Sequence, residues 1–173
     1  NPMPNIAFRG MAFMLRLVEP FKKPQERLLE SGLVPGQTVL EYGCGAGSFT
    51  LPAARIVGQD GIVYAVDIPP LAIEMVQKRA GKEGLSNVET ILSDRETGLP
   101  DESVDVVLLY DMLHLVRDKQ ALLAELHRVL KSDGFLSADH EHTDRETFIG
   151  TMTSGSLFSL QTTNGHTLKF HKR

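Results

Sequence analysis

Val39-Leu-Glu-Tyr-Gly-Cys-Gly-Ala-Gly47 decides how the rest of the chain is read. Apolar residues run into an acid, Glu41, and glycines follow at every second position, Gly43, Gly45 and Gly47. Ser48-Phe-Thr-Leu-Pro-Ala-Ala-Arg-Ile-Val57 suits a helix. The stretch therefore predicts a buried strand, a tight turn and a helix N-terminus. Glycine has no Cβ and tolerates positive φ, so a ligand can approach bare backbone at such a turn. The helix that follows aims its N–H groups and positive dipole end at the same place.

Strand and helix patterns alternate downstream. Residues 62–68, IVYAVDI, form a second strand ending at Asp67, and Pro69-Pro70 open a helix over 70–83 with Leu71, Met75 and Val76 inward. Residues 88–94, VETILSD, form a third strand ending in Asp94, and 95–103 are loop. Residues 104–116, VDVVLLYDMLHLV, begin as a strand apolar on both faces, as a central parallel strand is. Asp118 caps a helix running to Lys131. Lys131-Ser-Asp-Gly134 then turns into a fifth strand, 135–141, FLSADHE. Five strands alternating with helices predict a doubly wound α/β sheet. Asp144 starts one more helix, 144–153. LFSLQTT and HTLKFHK flank Asn164-Gly165, a strong hairpin signal, so the chain ends in an antiparallel pair.

Upstream, residues 20–31 read as a short helix stopped at Gly32. Residues 6–18, IAFRGMAFMLRLV, are apolar at helical spacing. They suit a helix on the sheet, a cap over a site, or a helix on a membrane surface, and they could equally serve a homodimer. The 173 residues predict one domain, with 1–36 a helical lead or cap and 37–173 the sheet core. No apolar run reaches the ~20 residues of a membrane span, and no secretory segment is visible. Net charge is −4, which disfavours a broad nucleic-acid surface. The lone cysteine, Cys44, allows no intrachain disulfide and suits a reducing, cytoplasmic setting.

In an open α/β sheet, ligands bind beyond the carboxyl ends of the strands. Every notable polar residue falls at such an end: Glu41 and the glycines, Asp67, Asp94, then Tyr110, Asp111 and His114, then His140, Glu141 and His142. The dinucleotide fingerprint G-x-G-x-x-G wants its third glycine at position 48, which is serine. A nucleotide-dependent oxidoreductase also leaves the terminal hairpin unexplained. Strand alternation would put His140 and His142 on one face. That pattern is too thin to assign a metal.

The E-x-G-x-G-x-G pattern of residues 41–47 resembles motif I of the class I S-adenosylmethionine-dependent methyltransferases. Residues 37–141 resemble the branch with ubiquinone-biosynthesis-like and small-molecule enzymes, and 126–136, LHRVLKSDGFL, do so especially. The resemblance implies a seven-stranded sheet of order 3-2-1-4-5-7-6 with strand 7 antiparallel. It implies that Gly43, Gly45 and Gly47 admit the methionine part of the cofactor and that Glu41 helps place its ammonium group. Asp67 would accept from the ribose hydroxyls, Ile68 would pack on adenine, Asp94 would accept from the adenine amino group, and the Arg95 N–H would meet a ring nitrogen. Tyr110 would lie near the methionine arm.

Methyl transfer from a sulfonium needs a general base only when the nucleophile carries a proton of high pKa. Asp111 and His114 are the candidates, His140 the next. The Asn/Asp-Pro-Pro-aromatic motif of many nucleic-acid and amide methyltransferases is replaced by Tyr110-Asp-Met-Leu113. One cysteine does not make a multi-cysteine arsenic site. The expected acceptor is therefore a small molecule. A protein that keeps the fold and binds the cofactor without catalysis is the other alternative to the oxidoreductase.

Overall fold

The computed structural model describes residues 23–165 and 167–173. The apolar 6–18 segment, with its three possible roles, lies outside the described residues. Helix α1 is Pro24–Ser31, and Gly32 ends it at φ +92°. Strand β1 is Thr38–Tyr42, α2 Thr50–Val57, β2 Ile62–Asp67 and α3 Pro70–Glu83. Then come β3 Val88–Leu92, β4 Val104–Leu109, a 3-10 turn Leu113–Leu115, α4 Lys119–Val129 and β5 Leu130–Asp139. Helix α5 Arg145–Thr153 and the hairpin β6 Phe158–Asn164 and β7 Thr167–Lys172 complete the chain.

The seven strands are ordered β3-β2-β1-β4-β5-β7-β6. The first five are parallel, and β7 runs antiparallel to both β5 and β6. This is the expected order, with the chain reversing where the hairpin signal stood.

Alternation along the central strands divides the core. Leu40, Val107 and Leu109 face a cluster with Leu122, Leu126, Leu136, Phe158 and Phe170, under α4 and α5. Val39, Val106, Leu108 and Tyr110 face the other way, onto Leu28, Phe49 and Val57 of the α1–α2 side. In α3, Ala72, Val76 and Ala80 are buried, while Leu71 and Met75 are half-buried against Ala46 and Ala72.

The start of β5 differs from expectation. Residues 131–134 do not form a separate turn. Helix α4 ends at Val129, and β5 begins at once with Leu130 opposite Val104. The N–H groups of Glu102 and Ser103 bond to the carbonyls of Arg128 and Val129, which draws the chain into the sheet early. The register then shifts before Val106 pairs with Phe135, so residues 131–134 form an irregular stretch of β5 between its two segments paired with β4.

The loop after β3 is also tied down. Thr97 donates from its N–H (2.8 Å) and hydroxyl (2.7 Å) to Glu125, which Arg128 also holds. The Arg128 bond above all, with those of Thr97 behind it, pulls the Glu125 carboxyl down to about 2 against the effect of burial.

At Gly61, an added Cβ would lie 2.6 Å from Val57 Cβ and 2.7 Å from the Gln37 carbonyl oxygen. Both neighbours are fixed, so Gly61→Ala should destabilise the fold by ~1–3 kcal/mol. A urea unfolding curve with an unchanged slope and a lower midpoint is the expected outcome; an unmoved midpoint would show that this corner yields.

Candidate active site

The five parallel strands end together at Tyr42, Asp67, Leu92, Leu109 and Asp139, on one edge of the sheet. The glycine turn leaves β1 there. Gly43, Gly45 and Gly47 all have positive φ, at +85°, +51° and +85°. The Gly43 and Cys44 N–H groups donate to the Val66 carbonyl at 2.8 and 3.1 Å. The Gly45 N–H donates to Asp67 Oδ2 at 2.7 Å, and the Ile68 N–H to Asp67 Oδ1 at 2.8 Å. A Cβ on Gly45 would meet nothing within 4 Å, so the crest of the turn faces open space.

Glu41 lies beneath the turn, 3% exposed, and accepts from the Thr50 hydroxyl. Burial raises its carboxyl to about 8; the Thr50 bond opposes the shift and Asp67 adds to it. Asp67 is also raised by burial, opposed by its two backbone donors. Burial pushes the Cys44 thiol well above its usual range, so it is an inert, packed group.

Ile68 is 42% exposed beside Asp67, an apolar side chain left open on this edge. Asp94 and Arg95 are exposed beyond β3. The Arg95 N–H donates to Ser93 Oγ at 3.2 Å, so it would have to leave that partner to meet a ligand. Tyr42, which the sequence reading passed over, donates from its hydroxyl to the Asp94 carbonyl at 2.5 Å and fixes this loop.

Tyr110 does not face the edge. Its ring packs on Phe49 at 4.6 Å and its hydroxyl bonds Ser137 Oγ at 2.7 Å, inside the core. It has the same parity as Val106 and Leu108, and that parity was the signal for its direction. Only its main chain can reach a ligand.

Beyond β4 and β5 lies a second group of residues around a cavity of about 110 Å³, lined by Asp111, Met112, His114, Lys119, His142 and Phe148 among others. Asp111 has φ +56°, and its N–H donates to Asp139 Oδ1 at 2.8 Å. Its Oδ1 meets His142 Nε2 at 2.6 Å. The rings of His114 and His142 are 4.4 Å apart. Burial and His142 lower the proton affinity of His114; Asp111 opposes them. His140 and His142 lie past the end of β5, in the turn before α5, so strand alternation does not relate them.

Asp139 is a further residue that the sequence reading missed. It is 4% exposed and also accepts from Arg27 of α1 at 3.1 Å. Arg27 also pairs with Glu141. Burial raises Asp139 to about 6. Its signal was the one used at Asp67 and Asp94, an acid at a strand end, hidden here by three polar residues behind it.

Met112 joins the two halves. A Cβ on Gly43 would lie 1.9 Å from Met112 Cγ, so the methionine side chain rests directly on the glycine turn.

Residues 33–170 match the methyltransferase domain family. The chain belongs to the class I S-adenosylmethionine-dependent methyltransferases. Membership removes the oxidoreductase alternative. An aklanonic acid methyltransferase, DauC, of Streptomyces sp. strain C5 is 37% identical over 119 residues, covering 68% of this chain and 54% of its own length. The ubiquinone/menaquinone biosynthesis C-methyltransferase UbiE of Escherichia coli O1:K1 / APEC is 34% identical over 108 residues, covering 61% of this chain and 43% of its own. The chain thus spans about half the length of these curated relatives. An Aquifex aeolicus methyltransferase described as S-adenosylmethionine-dependent shares the fold, at TM-score 0.80 and 24% identity over 99% of this chain and 98% of that one.

Two predictions follow from this geometry. Gly43→Ala should cripple folding or cofactor binding, because Cβ meets Met112 and φ is positive. Adding Met112→Ala should recover part of the loss, leaving the ~1–2 kcal/mol cost of the backbone conformation. Thermal melts of both variants check this, and no recovery would place the obstruction elsewhere.

The second concerns Glu41. Its folded value of about 8 lies above the usual 4.5. Between those values the unfolded chain ionises and the folded one holds its proton, so stability falls as pH rises through this window. Glu41→Gln, which still accepts from Thr50, should flatten that fall in cofactor-free protein. Urea midpoints at pH 5 and pH 8 measure it; equal slopes for both proteins would mean that Glu41 is ionised when folded.

Proposed function

We infer that the protein transfers a methyl group from S-adenosylmethionine to a small organic acceptor held in the cavity between β4, β5 and α5. One observation carries this reading: the open glycine turn and the Asp111–His114–His142 cavity lie side by side on one sheet edge, separated by Met112.

The residues fit the cofactor. The crest at Gly45 is open where a side chain would block it. Asp67, an acceptor-only group, suits the ribose hydroxyls, Ile68 suits the adenine face, and Asp94 suits the adenine amino group. The Arg95 N–H and the Tyr110 main chain border the same space. Glu41 would pair with the ammonium group, and a cation beside it would counter the burial that holds its carboxyl protonated.

When bound, the cofactor supplies a methyl carbon already activated by positive sulfur. The work left to the protein is to align the acceptor and exclude water. His114 and Asp111 are placed to take a proton where the acceptor carries one, with His142 orienting Asp111.

Net charge −4 and the Tyr110-Asp-Met-Leu113 segment support an acceptor other than nucleic acid. Cys44, alone and buried, offers no thiol cluster for arsenic. Among the described residues no helix is long and apolar enough to cross a membrane. With the lone thiol, this supports the cytoplasm as the working compartment. We read residues 37–173 as the sheet core and 1–36 as its cap, a segment that also suits a homodimer contact.

Calorimetry should show micromolar binding of S-adenosylmethionine and none of NAD. Asp67→Ala should weaken cofactor binding by ~1.5–3 kcal/mol, the scale of hydrogen bonds to a charged group. Unchanged affinity would sink the ribose assignment. His114→Ala should keep cofactor affinity and lower turnover with labelled cofactor on an accepted substrate. Cofactor binding without transfer to any acceptor would favour the non-catalytic alternative.

A further inference from the structure

We propose that Asp111, His114 and His142 form a site for one divalent transition-metal ion, open toward the acceptor cavity. The binding claim stands by itself; only the ion's use in orienting the acceptor rests on the methyl-transfer reading, and with the ion bound its charge, in place of a free Asp111 or His114, favours loss of the acceptor's proton.

Three separate segments deliver the ligands: the end of β4, the 3-10 turn after it, and the turn beyond β5. One ligand atom from each of the three lies within 4.8 Å of the other two. Asp111 and His142 already touch at 2.6 Å. In a tetrahedral site with bonds of about 2.0–2.1 Å, ligand atoms stand about 3.3 Å apart. The ion thus replaces one hydrogen bond and draws His114 inward, with side-chain movements of about an ångström.

An Asp–His contact accounts for two of the three residues. It gives no account of the second imidazole, whose ring centre lies 4.4 Å from the first at a 47° tilt. A metal ion takes both imidazoles as donors.

The donor set decides the class of ion. Two imidazole nitrogens and one carboxylate oxygen suit zinc, cobalt, nickel or ferrous iron better than magnesium or calcium. Three protein ligands leave positions open, as catalytic metal sites do. All three ligands line the cavity, where a hydroxyl, enolate or carboxylate oxygen of the acceptor would complete the coordination.

The support behind the ligands is built. The Asp111 main chain is pinned to Asp139, and Asp139 to Arg27. Lys119 lines the same cavity and opposes a cation, but its Nζ is drawn to the Val116 carbonyl at 2.9 Å. Glu141 on the cavity wall is held by Arg27.

The test uses the whole chain, stripped with chelator, with neither cofactor nor acceptor present. Cobalt(II) is titrated by its visible absorption and zinc by calorimetry. The expected result is saturation at one ion per chain with micromolar or tighter affinity. His114→Ala and His142→Ala should each weaken binding at least about tenfold. His140→Ala should leave it unchanged. The histidine rings are surface groups, and far-ultraviolet circular dichroism confirms that each variant is folded. No saturable binding overturns the proposal, as does binding insensitive to His114 and His142, or binding lost equally with His140→Ala. An ion bound by these ligands in a protein that transfers no methyl group would overturn the methyl-transfer reading and leave the site standing.

Discussion

The carboxylate of Asp67 takes the Gly45 N–H at 2.7 Å, and the edge of the sheet depends on that bond. The turn it holds runs through three glycines at positive φ, and because glycine is free to take many conformations, a partner is needed to fix this one. Val66 secures the entry to the turn and Asp67 its crest. Because both belong to β2, the turn after β1 is shaped by its neighbour strand. The cost appears in the burial of two acids, Glu41 and Asp67: burial raises the proton affinity of each, and Asp67 adds to the rise at Glu41.

The same device recurs on the other side of β1 and β4. Asp139, at the end of β5, accepts the N–H of Asp111 at 2.8 Å. Asp111 leaves β4 with φ +56°, close to the +51° of Gly45. In each case an acid ending one parallel strand captures the main chain leaving the strand next to it. Here the captured residue is not glycine, so the left-handed backbone costs ~1–2 kcal/mol that the hydrogen bond and Arg27 must offset. What this gains is direction: the Asp111 carboxylate points at His142 instead of following the strand.

The parts of this arrangement that were legible in the sequence are those written in local pattern. Apolar runs, glycine spacing and the Asn164-Gly165 turn identified the strands and the reversal near the end of the chain. The acids at strand ends marked the edge. Contacts between distant segments were not legible. Residues 131–134 look like a turn, yet β5 has already begun at Leu130 opposite Val104, and they lie within the strand in the register shift before Phe135. His140 and His142 look like a strand pair, yet β5 stops at Asp139, where Arg27 and the Asp111 main chain use its side chain. Tyr110 looks like an edge residue because it follows β4. The parity of Val106 and Leu108 turns it inward.

Met112 shows how the two halves constrain each other. Its side chain fills the space that glycine leaves at Gly43, so the bare backbone there serves packing within the protein as well as approach from outside. A methionine is suited to this place, because an unbranched, flexible side chain can move aside with little strain. The glycine turn and the histidine cavity are therefore not separated by a fixed wall. They share one movable side chain, anchored between Asp111, which Asp139 fixes, and Leu113, which is buried in the core. Anything that enters along the glycine turn at Gly43 therefore meets Met112, a side chain that also lines the cavity of Asp111, His114 and His142.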